Sequence, residues 1–142
     1  MHSILILNLF SSFFLCGLIW MVQLVHYPMF HGISKKNFSS QIQFHKKRIS
    51  LIVIPVMTAE LLTSAALAGW SAEFKLIHIA GLVLVTAIWL VTFSLQVPIH
   101  NKLPDGFDQI LVQKLVLSNW YRTVFWTLKS ILGIYLLYQT IQ

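Results

Sequence analysis

Imidazole is the commonest side-chain ligand for transition metals, and three imidazoles hold a metal with one position left open. His26, His45 and His100 are the candidates in this sequence, each where a long apolar run meets a polar patch. A transition-metal or haem site built from these three is one interpretation. The other is that histidines settle at such boundaries without binding anything. No HExxH, ExxH or CxxCH pattern is present to decide between them. Gln23, three residues before His26, shares its helix face by spacing. Gln96 stands four before His100, with Pro98 between them able to end or bend a helix, and Asn101 follows. His31 falls in a glycine-containing loop and is expected in water, while His2 and His78 belong to the opposite end of the helices.

Two ionisable residues lie deeper. Glu60 and Lys129 interrupt apolar runs, where such groups are costly and are usually paired or functional. At a rise of ~1.5 Å per residue their depths differ by only a few Å, so they are expected to face inward and approach each other. One role is a structural ion pair; the other is a proton-handling carboxylate beneath the histidines. In "NWYRTVFWTLK", Asn119, Arg122, Trp126 and Lys129 recur at spacings of three, four and three. That is a helical stripe, and it must face protein or a polar cavity. Arg122 there either marks the membrane interface or binds an anionic group such as a carboxylate or lipid phosphate.

The elements that must position these residues are membrane spans. The chain has 142 residues, 57% hydrophobic and 10% charged, with a mean hydropathy of +0.76. Soluble domains carry roughly a quarter charged residues. A spanning helix needs ~20 mostly apolar residues, and four stretches qualify: about 4–25, 49–69, 76–97 and 120–138. In lipid only helices or closed barrels satisfy their own backbone, and runs this long mean helices. The fold class is therefore all-α, an integral membrane four-helix bundle in one domain. The N-terminal run has no Lys or Arg before it and no small-residue cleavage site, so it is expected to be a retained span. A single cysteine, Cys16, excludes an intrachain disulfide and a cysteine-based metal site.

Eight of the ten basic residues fall in or beside the two long connections, about 27–48 and 98–119. The positive-inside rule places both connections in the cytoplasm and both termini outside, in the inner membrane. The net charge of +6 is thus a topology signal, and nucleic acid is not an expected partner. Ser40 followed by Gln43 has capping-box spacing, so the second helix is expected to begin near Gln41. Phe107, Ile110, Leu111 and Leu115 suit an interfacial helix or an extension of the fourth span. Tyr27, Trp70, Trp120 and Tyr138 suit the aromatic belt. A faint echo at an offset of 74 pairs His26 with His100, Gly32 with Gly106 and Arg48 with Arg122, as a parallel duplication would.

The stretches "WMVQLVHYPMF", "FHKKRISLIVIPVMTAE", "QVPIHNKLPDG" and "NWYRTVFWTLKS" resemble a group of small bacterial four-helix membrane proteins. "VPIHNKL" with the Trp/Arg-bearing last helix resembles the anthrone oxygenase-like family in particular, which often has Asn at the position of His100. That resemblance implies oxidation of an aromatic or quinone-like molecule. "FKLIHIAGLVLVTAIWL" is similar to small haem-binding membrane proteins. The residues themselves leave two classes open. One is a metal- or haem-dependent oxidoreductase acting on a hydrophobic small molecule at the cytoplasmic ends of the helices. The other is a non-enzymatic accessory subunit, small transporter or lipid- or quinone-binding scaffold, with a homo-oligomer as a natural assembly.

Overall fold

The computed structural model describes residues 2–141. Four long helices account for nearly all of them: α1 (His2–Gly32), α2 (Lys35–Trp70), α3 (Lys75–Asp105) and α4 (Gln109–Ile141). No strand occurs among the described residues. The helices form a closed ring in which α1 and α3 each pack on both α2 and α4, so the fold is an all-α four-helix bundle.

The bundle has an apolar core that includes Leu15, Ile19, Phe38, Ile88 and Trp126, and its surface and buried polar groups are those of a protein in lipid. Ile6, Phe10, Leu24, Leu51, Leu62, Leu76 and Leu90 are exposed, while Asn8, Ser12, Gln23, Glu60, Gln96, Asn119 and Lys129 are buried. Apolar side chains on the outer surface, with the polar ones of the spans turned inward, is the arrangement lipid demands. Hydroxyls inside the helices bond back one turn, as Ser12 does to Asn8 C=O, Thr63 to Ala59 C=O and Thr123 to Asn119 C=O. Their polarity is thus satisfied locally. α1, α2 and α3 are long and apolar enough to cross a membrane, and the chain is a membrane protein. The stripe of Asn119, Arg122 and Lys129 makes α4 less apolar along its length.

The long connections are mostly helix. α2 begins at Lys35, with Ser34 at its N-cap position, six residues before the start expected from Ser40. Ser40 is inside the helix, its hydroxyl spent on Asn37 C=O at 2.9 Å. With 36 residues at ~1.5 Å each, α2 is about 54 Å long and outruns a ~30 Å hydrocarbon core. α4 likewise absorbs residues from 109 onward. Asp108 caps it, its Oδ1 accepting the N–H of Ile110 at 2.8 Å and of Leu111 at 3.2 Å. Ile110 is exposed, and Val112 takes its place in the core. The short turn 71–74 closes with Phe74 at φ 52.

Each half repeats one order of elements: α-helix, a five-residue π-helical turn, a short α-helix, a 3-10 turn, then a long α-helix. The π turns are Val22–His26 and Thr92–Gln96, followed by Pro28 and Pro98. Proline lacks the N–H and its ring crowds the carbonyl four residues back. The helix widens in response: Tyr27 N–H reaches Val22 C=O and Val97 N–H reaches Thr92 C=O. The two devices lie 70 positions apart, whereas Gly32 and Gly106 keep the offset of 74. His26 therefore corresponds to Gln96, and the echo that paired it with His100 is corrected by a longer second connection. Gly106 ends α3 at φ 150, ψ 171, a conformation essentially confined to glycine.

Candidate functional site

The π turns aim the polar residues at the end of the bundle that carries the two long connections. In an ordinary helix Gln23 and His26 would share a face. The wider turn splays them. Gln23 faces α4, where its Oε1 accepts from Asn119 Nδ2 at 2.9 Å and its Nε2 donates to Val116 C=O at 3.2 Å. His26 faces α2, with Nε2 2.6 Å from Nδ1 of His45. On α3, Gln96 and His100 both reach the hydroxyl of Tyr27, at 3.3 Å from Oε1 and 2.9 Å from Nε2. Tyr27 is buried, so the residue expected in the aromatic belt is the hub joining α1 to α3. A phenol that finds polar partners inside a bundle no longer gains from the headgroup layer.

The three histidines thus meet. The ring centroids of His26 and His45 are 4.2 Å apart, and those of His45 and His100 are 5.8 Å apart. One nitrogen of each, however, is engaged with protein: His26 Nε2 with His45 Nδ1, and His100 Nε2 with the Tyr27 hydroxyl. Two ligands of one metal sit ~2.0–2.1 Å from it on different sides, whereas His26 and His45 touch each other directly. Among the described residues no group of three His, Cys, Asp or Glu side chains is arranged to hold a metal ion. Asn101 is exposed and accepts from Lys46 Nζ at the rim, so it is not part of the pocket. His31 is exposed.

The stripe on α4 faces inward throughout, with Asn119, Arg122, Trp126 and Lys129 all buried. Trp126 joins two polar layers. Its indole N–H donates to Glu60 Oε2 at 3.0 Å, and its ring lies 5.2 Å from the Arg122 guanidinium carbon, a cation–π distance. In the deeper layer Lys129 Nζ contacts Ser12 Oγ at 2.7 Å, Asn8 Oδ1 at 3.2 Å and Glu60 Oε1 at 3.4 Å. The contacts to Ser12 and Asn8 are hydrogen bonds, and that to Glu60 is an ion pair. Asn8 also donates to Thr63 and Ser64, both at 2.8 Å. The sequence showed Asn8, Ser12, Thr63 and Ser64 as polar residues in apolar runs, but spacing within one helix does not show which helices meet.

Above that layer lies a cavity of about 220 Å³. Its walls are apolar, among them Leu15, Ile19, Val53, Met57 and Trp89, and its polar end carries Tyr27, His45, Gln96, His100 and Arg122. His26 stands behind His45, outside the lining. Ile54 of α2 and Phe93 of α3 line the cavity while being 57% and 59% exposed. The cavity therefore opens sideways between α2 and α3, onto the surface that faces lipid. Six buried side-chain atoms among the described residues lack a hydrogen-bond partner. Four of them, His45 Nε2, Trp89 Nε1, His100 Nδ1 and Arg122 Nε, belong to residues lining this cavity. Buried polar atoms are almost always paired, so four orphans around one space point to a partner from outside the chain.

Comparison with protein families, curated proteins and solved structures finds no match for this chain.

Proposed function

We propose that this protein holds a hydrophobic small molecule inside the membrane. The apolar body would lie between the helices and a polar head would meet Tyr27, His45, His100 and Arg122. The observation that carries this is the convergence of four unpartnered buried polar atoms on one cavity with an opening toward lipid. Ligand sites are mostly apolar concavities with a few convergent polar groups. We place the protein in the cytoplasmic membrane with four spans, both termini outside and the pocket at the cytoplasmic ends. If the resemblance to the anthrone oxygenase-like family holds, the occupant is aromatic or quinone-like, and apolar walls that include Trp89 and Phe93 suit such a ring. Decanol and 1-naphthol, titrated against protein in lipid nanodiscs with empty nanodiscs subtracted, provide the test. Val53→Trp, which fills the cavity, should abolish saturable binding. Binding that ignores this change would end the proposal.

A metal- or haem-dependent oxidoreductase is the second reading, favoured by the meeting of His26, His45 and His100 beside the cavity. It requires the contact between His26 and His45 to open so that both rings can turn to one ion. Metal content and visible absorbance after incubation with zinc, iron, copper or haem decide it. Preparations that stay colourless and metal-free would remove it. As a small transporter, the protein would instead use Glu60 as its proton-coupled carboxylate, and Glu60→Gln would abolish transport while the fold survived.

A further inference from the structure

We infer that the molecule held in this cavity is a carboxylate, with Arg122 as its counter-ion. This rests on the proposed binding function and names the chemistry of the occupant's head. Arg122 is 7% exposed, and a buried charge is costly unless paired. Among the described residues it has no acidic partner: the single salt bridge joins Lys129 to Glu60, and Glu60 is further occupied by Trp126. What Arg122 does have is neutral. Nη1 donates to Asn119 Oδ1 at 3.3 Å, Trp126 lies under the guanidinium, and Nε is buried without a partner. Asn119 is itself held by Gln23 and the Tyr27 hydroxyl lies close to the guanidinium, so neutral groups fix Arg122 at an end of the cavity that it lines.

The surroundings select the class of anion. The planar guanidinium fork matches a carboxylate in two-point contact. His45 and His100 line the same end of the cavity, with Nε2 and Nδ1 unpartnered, and Nε2 of His45 can donate a proton to the second oxygen when His26 donates to its Nδ1. One buried cation balances one negative charge. A phosphate monoester, closer to two charges near neutral pH, would leave charge uncompensated. The apolar walls take the rest of the molecule. A volume of about 220 Å³ admits one ring system or one medium-length chain. The opening beside Ile54 and Phe93 lets such an amphipathic acid arrive from the bilayer, tail in lipid and head toward the cytoplasm.

The test measures binding of decanoate, decanol and decyl phosphate to protein in nanodiscs, with empty nanodiscs subtracted. Wild-type protein should bind decanoate at least about tenfold more tightly than decanol, the scale of one charge-assisted contact. Arg122→Gln should bring decanoate down to the level of decanol and leave decanol unchanged, and Arg122→Lys should fall between. If Arg122→Gln does not fold, the wild-type preference for decanoate over decanol still decides. Equal binding of decanoate and decanol to wild type, with both abolished by Val53→Trp, would overturn the carboxylate and leave the hydrophobic pocket standing. Tighter binding of decyl phosphate than of decanoate would overturn the single-charge assignment. No probe bound above empty nanodiscs would overturn both proposals.

Discussion

Lys129 shows how a charge is kept at depth in a membrane protein. It donates to Ser12 and Asn8 and pairs with Glu60, so the cost of burial is offset only while all three partners stay. Lys129→Met should leave Glu60 as an uncompensated buried carboxylate and destabilise the fold by roughly 3–5 kcal/mol. Adding Glu60→Gln to Lys129→Met should recover much of that loss, because no buried charge is then left unpaired. Unfolding titrations of the two single variants and the double variant in mixed micelles check this. A double variant no more stable than Lys129→Met would show that the pair is not a structural unit. Asn8→Leu removes hydrogen bonds to Thr63, Ser64 and Lys129 together. Interhelical hydrogen bonds within membranes average ~0.6 kcal/mol with a ceiling near ~1.7, so a loss of about 1–2 kcal/mol is expected in the same titration.

At the scale of elements, the π turns before Pro28 and Pro98 decide which side chains reach the pocket. Pro28→Ala restores a backbone donor, and proline in a helix interior costs ~3 kcal/mol relative to alanine. The variant should be at least as stable as wild type. It should nonetheless bind ligand more weakly, since an ordinary α turn would rotate Tyr27 away from Gln96 and His100. Melting and decanol binding, measured on the same preparation, separate the two effects. Gly133 sets the approach of α4 to α1: a Cβ there would stand 2.9 Å from Leu9 Cδ2 and 3.4 Å from Phe13 Cζ. The end of Leu9 is flexible, so Gly133→Ala should cost little. Gly133→Leu overpacks the contact and should cost about 1–3 kcal/mol in the unfolding titration.

At the scale of the whole molecule, the distribution of basic residues predicts the orientation. Lys35, Lys36, Lys46, Lys47 and Arg48 stand at one end with Lys102 and Lys114, while the turn 71–74 is followed by Lys75 alone. In a Cys16→Ala background, cysteine at Ala72 should react with a membrane-impermeant thiol reagent added to intact cells. Cysteine at Ser34 should react only after the cells are opened. The reverse pattern would invert the topology and put the pocket on the outside. The sideways opening beside Ile54 and Phe93 also belongs to this scale, because it is made by residues of two helices, α2 and α3.

The sequence by itself determined the fold class, the inward face of α4 and the depths of Glu60 and Lys129. Each is a matter of periodicity or position along one helix, and lipid enforces it strictly: polar groups face inward because nothing outside can satisfy them. It also placed His26, His45 and His100 at one end. Only the tertiary structure decided what those histidines do with their nitrogens. The turns before Pro28 and Pro98 shift the register in a way that hydropathy does not record, and contacts between helices depend on rotation about each axis. For the same reason Tyr27 moved from the belt to the hub of the pocket, Asn101 moved to the rim, and Arg122 emerged as a buried cation facing a cavity that the chain itself does not fill.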